Sequence, residues 1–230
     1  MTKKRKVAIF DIDGTIFRSS LLIELVDTFI IQGIFPKKAA RLYERPHKEW
    51  MDRKENYGGY IHGVIKAFDK YVRGVSRKDL IKVAKKVASL HKDRVYRYTR
   101  DLVRELKKKN YYLLAISHSP KYITQEFGKK LGFDKIYGRL FEVDQDNRFT
   151  GALLYPDLIE DKAKILMRAV EKANLTLKNS VGVGDTETDI SFLELVDRPI
   201  CFNPNSRLYA VAKKRGWSIV VERKEVVYHL

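Results

Sequence analysis

Two aspartates, Asp11 and Asp13, come straight off the apolar run Val7-Ala8-Ile9-Phe10, and Gly14-Thr15 closes the segment. Ser117-His118-Ser119 follows a second apolar run, Tyr111 to Ile116. Gly184-Asp185 follows a third, Val181 to Val183, with Asp189 four residues on, and Lys162 opens the helical pattern before that run. Ligands of open α/β sheets bind beyond the carboxyl ends of the strands. Read as strand ends, these segments bring four carboxylates, a hydroxyl and an ammonium to one crevice. Four carboxylates repel one another, so some must pair, protonate or hold a cation. Mg2+ suits such oxygen ligands, because it binds through few carboxylates and leaves positions for substrate phosphate. Asp185 or Asp189 alone fits a helix cap or a surface charge equally well. Asp11 and Asp13 together, at the end of a buried strand, fit that description poorly. A calcium loop is excluded, since Gly14 falls too early and a third oxygen ligand is missing.

The elements that must position these residues alternate. Apolar runs of strand length recur at Pro199 to Phe202 and, more weakly, at Ser218 to Val221. Helical spacing fills Arg94 to Lys109, Lys162 to Ala173 and Asn205 to Arg215, the last with Gly216 as its stop. Such alternation predicts an α/β fold, a Rossmann-like parallel sheet with helices on both faces. Arg139 to Leu154 breaks the rhythm and reads as a β-hairpin turning at Asp144-Gln145-Asp146-Asn147. Residues 17–93 show no strand. Helix-length segments occupy Leu21 to Ile31, Lys37 to Lys54, Tyr60 to Tyr71 and the stretch after Ser76, whose Ser-x-x-Asp start resembles a capping box. The expected organisation is a core of residues 1–16 and 94–230 and an all-helical insert, residues 17–93.

The 230 residues are 44% hydrophobic, which excludes global disorder, and a single cysteine, Cys201, excludes a disulfide framework and a cysteine-rich zinc site. No apolar run is long enough to span a membrane. The basic start is followed too soon by Asp11 and Asp13 for a signal peptide, so a cytoplasmic protein is expected. Net charge is +17. Residues 17–95 hold 18 Lys/Arg against 9 Asp/Glu, about twice the positive density of the rest. That density reads either as a solvated helical surface or as attraction for phosphorylated small molecules, nucleic acid or anionic lipid.

In this order, Phe10-Asp11-Ile12-Asp13-Gly14-Thr15, Ser117, Lys162 and Val183-Gly184-Asp185-Thr186-Glu187-Thr188-Asp189 resemble the four motifs of the haloacid dehalogenase superfamily. The resemblance is to its phosphoserine-phosphatase-like branch, with a helical C1-type cap after the first motif, and covers nearly the whole chain. It implies a Mg2+-dependent phosphomonoester hydrolase working through an aspartyl-phosphate. By the resemblance, Asp11 is the nucleophile. Asp13 protonates the leaving oxygen and then deprotonates water. Ser117 and Lys162 bind phosphoryl oxygens. The metal set is Asp11, Asp13 through its backbone carbonyl, Asp185 and Asp189, the last through a water or by orienting its neighbours. His118 is a candidate phosphate or substrate contact or an incidental loop residue. Ser119 and Thr15 either help bind phosphate or cap a turn.

The partner expected is a small, anionic phosphorylated substrate. Phosphoserine phosphatases carry a cap carboxylate seven residues after the general acid to receive the substrate ammonium. That position is Ser20 here, and the nearest acid is Glu24. Arg18, Lys66, Lys70 and Arg73 favour further negative charge on the substrate. Other functions remain as alternatives: phosphotransfer from the same Asp11, or nucleic-acid binding, which the charge permits but no binding motif supports. A dinucleotide-binding oxidoreductase is disfavoured, because Glu187 stands where the third glycine of its loop is needed.

Overall fold

The computed structural model describes residues 4–230; residues 1–3, part of the basic start and of the expected first core segment, lie outside it. The first strand, β1 (Lys6–Asp11), is followed by α1 (Leu21–Ile31), a 3-10 turn (Lys37–Leu42), α2 (Glu44–Met51), α3 (Tyr57–Tyr71), α4 (Arg77–Leu90) and α5 (Arg97–Lys108). Next come β2 (Tyr112–Pro120), α6 (Lys121–Lys129), the hairpin β3 (Lys135–Val143) and β4 (Phe149–Leu154), α7 (Pro156–Ile159), α8 (Lys162–Lys172) and β5 (Thr176–Gly184). A 3-10 turn (Glu187–Asp189), α9 (Ile190–Leu193), β6 (Arg198–Phe202), α10 (Ser206–Arg215), β7 (Ser218–Arg223) and β8 (Val226–His229) complete the chain.

The eight strands form one sheet in the order β4-β3-β2-β1-β5-β6-β7-β8, parallel throughout except for the edge pairs β3–β4 and β7–β8. Successive residues of a strand face opposite sides, and β1 divides accordingly. Ala8 and Phe10 join the core under α5, α6 and the helices of residues 17–93. Val7 and Ile9 join the core under α8, α9 and α10. The expected layers are therefore present. Four elements escaped the reading: α6, whose mixed sequence KYITQEFGK follows β2 without a break, the one-turn helices α7 and α9, and β8, a four-residue strand in a polar tail. The α10 boundaries follow local chemistry, with the Asn205 side chain accepting from Leu208 N and Gly216 at φ 66° ending the helix.

Residues 17–93 contain α1 to α4 and one 3-10 turn, with no named strand. The expected single helix over Lys37 to Lys54 is two pieces. Pro46 lacks an N–H and is tolerated only in a first helical turn, so α2 begins at Glu44. Ser76 caps α4 by accepting from Asp79 N, while its hydroxyl donates to Asp79 Oδ2. That is half of a capping box, because the shorter Asp returns to the hydroxyl. The two linkers pair with each other, Arg18 N donating to Arg94 O and Tyr96 N to Ile16 O. A third attachment was not expected. The tip of the β3–β4 hairpin is clipped to the start of α4 by Gly74 N to Phe149 O, Phe149 N to Val75 O and Arg77 N to Asn147 O, at 2.8–3.0 Å. Any movement hinged only at Phe17 and His91 to Arg94 must break this clip or carry the hairpin along. No helix among the described residues is long and apolar enough to cross a membrane.

Candidate active site

The central strand carries the first carboxylate. β1 pairs in parallel with β2, Asp11 opposite Ile116, and with β5, Phe10 opposite Val183. The three strands therefore end side by side, and the residues that leave them meet. After Asp11 the chain doubles back, Gly14 N donating to Phe17 O and Ser19 O. Gly14 sits at φ 84°, and a β-carbon there would overlap the Asp185 carboxylate. Glycine is required twice over, for conformation and for close approach. On β2, Ile116 faces Tyr137 and Pro120 faces Arg139, so Ser117, His118 and Ser119 oppose Gly138 alone. This bulge bends the strand, and both serines reach Asp13. It needs Gly138, since a β-carbon there would lie 2.5 Å from Thr124 Oγ1 and 2.9 Å from the Ser119 carbonyl.

Lys162 is 1% exposed and bridges two carboxylates, Asp11 Oδ1 at 2.6 Å and Asp189 Oδ1 at 2.5 Å. Asp189 Oδ2 accepts from the backbone N–H groups of Asp185 (2.9 Å) and Thr186 (3.0 Å). Both its oxygens accept hydrogen bonds, so Asp189 holds Lys162 and the Asp185 loop in place. Asp13 Oδ1 accepts from Leu21 N at 2.5 Å, and Oδ2 accepts from Ser117 Oγ at 2.5 Å and Ser119 Oγ at 2.9 Å. Thr15 Oγ1 donates to Asp185 Oδ1 at 3.0 Å, and Thr99 on α5 holds the Thr15 carbonyl. Asp11 Oδ2 alone, among buried side-chain polar atoms of the described residues, has no hydrogen-bond partner.

One buried ammonium serves two buried carboxylates, so negative charge is in excess. Burial pushes Lys162 down, but Asp11 and Asp189 more than reverse this and hold it charged. Burial raises Asp11 well above the ordinary carboxylate range; Lys162 opposes that, while Asp189 and Asp13 add to it. Asp185 is raised by burial and then by the charges of Asp11 and Asp189. Asp13 is raised by burial, with the bonds from Ser117, Leu21 N and Ser119 offsetting part. An unpartnered anionic oxygen beside a second half-buried carboxylate fits a hard cation, which would relieve both. No three acidic, His or Cys side chains among the described residues close into a protein-only cage. A hard cation held there would have to complete its shell with water and substrate.

His118 departs from expectation. Its Nε2 lies 3.2 Å from the Ile159 carbonyl. Burial, and then the Lys162 charge, lower its pKa to about 4, so it brings no positive charge to a phosphate. The ring instead ties β2 to the segment that delivers Lys162. Glu24 is also committed, Oε1 to Arg94 at 2.7 Å and Oε2 to His91 at 3.2 Å. Lys66, Lys70 and Arg73 are exposed, Lys70 lying over the Tyr71 ring, while Arg18 stacks over Tyr96. Sequence reasoning missed Tyr57, in the first turn of α3. Its ring, 37% exposed, packs edge-on against Trp50 at 5.2 Å, and its hydroxyl pKa is raised by desolvation and then by Asp13, Tyr60 and Asp185. A tyrosine inside a Gly-rich helix start carries no sequence signal for such a role.

Comparisons agree with this geometry. A family model described as haloacid dehalogenase-like hydrolase matches residues 8–194. A phosphoserine phosphatase of Mycobacterium tuberculosis is 24% identical over 216 residues, 92% of this chain and 69% of that protein. Among solved structures, a protein of unknown function from Bordetella pertussis Tohama I has a TM-score of 0.77 at 20% identity, covering 94% of this chain and 98% of that one. A phosphoserine phosphatase solved as a phospho-aspartyl intermediate analogue has a TM-score of 0.63 at 21% identity, with 96% and 95% covered. At these identities the structures share the fold.

Proposed function

The chain belongs to the haloacid dehalogenase-like hydrolases, and from that premise we propose that it is a Mg2+-dependent phosphomonoesterase acting through an aspartyl-phosphate on Asp11. The observation that carries this reading is the asymmetry of Asp11: Oδ1 is anchored by Lys162, and Oδ2 is buried and unpartnered. In the first step Asp11 bonds to phosphorus as the ester P–O bond breaks, and Asp13 gives its proton to the departing oxygen. In the second, Asp13 takes a proton from water as that water bonds to phosphorus. The bond between Asp11 and phosphorus breaks, and inorganic phosphate leaves. The burial that raises Asp13 suits a group that must carry a proton first and accept one later. Ser117 and Ser119, now on Asp13, are placed to turn their hydroxyls to phosphoryl oxygens, and Lys162 holds the nucleophile in place. Mg2+, held by Asp11, Asp185 and the backbone carbonyl of Asp13, would neutralise phosphoryl charge and align the ester.

We also read residues 17–93 as a cap over this site. One contact supports it: Leu21 N, at the start of α1, donates to Asp13 Oδ1. The amine of phosphoserine finds no free carboxylate there, because Ser20 is neutral and Glu24 is held by Arg94 and His91. Phosphoserine should therefore be a weak substrate, with kcat/KM below about 10⁴ per molar per second. Asp11→Asn should lower turnover of p-nitrophenyl phosphate by at least about 10³-fold, roughly 4 kcal/mol of barrier, and EDTA should silence the wild type until Mg2+ is restored. Turnover of Asp11→Asn within tenfold of wild type would remove the covalent step, and full activity after exhaustive metal removal would remove the metal.

A further inference from the structure

The positive groups near the site are nearly all committed. Lys162 is bound between Asp11 and Asp189, Arg94 is bound to Glu24, and the His118 ring is neutral. Arg18 is exposed at the linker and stacked on Tyr96. Arg139 differs. It stands on β3 directly opposite Pro120, one strand away from the bulge that carries Ser117 and Ser119. Its side chain is only 17% exposed, and its guanidinium lies over the Phe141 ring at 5.2 Å. Phe141 in turn packs on Phe68 of α3, ring centroids 5.2 Å apart, which brings Arg139 to the seam between hairpin and helical segment. Among the described residues the nearest carboxylate is Asp69 of α3, which meets Arg139 in a long, one-pronged ion pair at 3.8 Å.

A mostly buried guanidinium is costly unless its planar fork is matched, and carboxylate and phosphate are the groups that match it two-pronged. Asp69 sits too far to do so. We propose that Arg139 is the specificity-determining residue of this site, receiving a second anionic group, carboxylate or phosphate, on the alcohol side of the phosphomonoester. The assignment rests on the phosphatase reading above and specifies its substrate class: a phosphate ester with another anion. Positive charge for recognition then comes from the hairpin of the core; Lys66, Lys70 and Arg73 of the helical segment are not required. Asp69 acts as a placeholder that the incoming anion displaces.

The test compares esters that differ by one anion: 3-phosphoglycerate against glycerol 3-phosphate, and fructose 1,6-bisphosphate against fructose 6-phosphate. In the wild type, kcat/KM should favour the more anionic member of at least one pair by tenfold or more, about 1.4 kcal/mol. Arg139→Gln should bring that ratio near one, chiefly through KM, and Arg139→Lys should keep part of it. Asp69→Asn should raise the ratio by removing the competitor. Opposite signs for the two positions separate recognition from a merely structural ion pair, whose loss from either side would act alike. Equal rates within both pairs, or a ratio that survives Arg139→Gln, overturns the assignment and leaves the phosphatase reading intact. A wild type that hydrolyses none of the four esters nor p-nitrophenyl phosphate overturns both. Should Arg139→Gln fail to fold, Asp69→Asn and Arg139→Lys decide alone, and an unchanged ratio in both overturns the proposal.

Discussion

Around Asp11, six polar or charged residues (Asp11, Thr15, Ser117, Ser119, Lys162 and Asp189) are buried in two hydrogen-bonded groups, one about Lys162 and one about Asp13; in residues 17–93, Ser20 is the only buried polar residue. The interior of the helical segment is aliphatic and aromatic, with Phe29, Phe35 and Phe68 in one cluster, while Trp50, Tyr57, Tyr60 and His47 form an aromatic group nearer the surface, where His47 and Tyr57 are exposed. Its charges lie at its edges, as in the Glu24–Arg94–His91 group beside the linkers. The difference separates two tasks. A buried polar network holds a few atoms in one geometry but is unforgiving, because each member left unpaired loses the full desolvation free energy. An apolar packing tolerates exchange of side chains at similar volume.

The largest effect should come from the network. Lys162→Met leaves Asp11 and Asp189 buried without their counter-charge and should destabilise the fold by about 3–5 kcal/mol in urea unfolding. Adding Asp11→Asn should restore a large part of that loss, since it removes one of the stranded charges. Additive losses in this double-mutant cycle would mean that the cluster is a set of independent contacts, and the contrast with the helical segment would fail.

A pH dependence should follow from His118. Its folded pKa, about 4, lies below the ordinary value of 6.5. Between those values the unfolded chain binds the proton and the folded chain does not, so stability falls as pH drops from 6.5 toward 4 and is fully present above 6.5. The loss is bounded at roughly 3 kcal/mol. His118→Gln can keep a donor for the Ile159 carbonyl without titrating, and its melting temperature should decline less across that window. Parallel curves for the two proteins would assign the acid sensitivity to other groups.

The smallest effect belongs to the edge of the helical segment. Glu24→Gln keeps the shape but loses the charge that binds Arg94 and His91. With Arg94 nearly half exposed, a cost of about 1 kcal/mol is expected, and phosphoserine turnover should stay as low as in wild type. A gain or loss of phosphoserine activity of tenfold or more would make Glu24 a substrate-binding residue and the linker contact incidental.

Much of this molecule was legible because its signals are local. Val7 to Phe10 reads as a strand from apolarity alone, and Asp11 and Asp13 gain meaning from standing at its end. Gly216 and Asn205 mark α10 because caps are set by one residue and its own backbone. Lys37 to Lys54 misled for a local reason as well: amphipathic spacing continues through Tyr43, although Pro46 is tolerated only in a first helical turn and so forces a new helix to begin just before it. α6 and β8 were lost because neither carries enough apolar periodicity without a partner, α6 taking its stability from α4 and β3 and β8 from pairing with β7.

The order of the motifs, the carboxylate at the end of each strand and the helical character of residues 17–93 are properties of the sequence by itself, since each depends on neighbours only a few bonds away. Which oxygens are taken and which is left bare was decided by tertiary structure. Lys162 lies 151 residues from Asp11, Ser117 lies 104 from Asp13, and Thr15 lies 170 from Asp185. His118 and Glu24 show the same limit from the other side. Both are residues that could serve a phosphate or an ammonium, and both are committed to partners, Ile159 and Arg94, that pattern and composition do not pair with them. Arg139 is one basic residue among 46 in the sequence. Only the register of β3 against the β2 bulge, and the distance to Asp69, set it apart, because burial and the geometry of a charge pair exist only once the chain has folded.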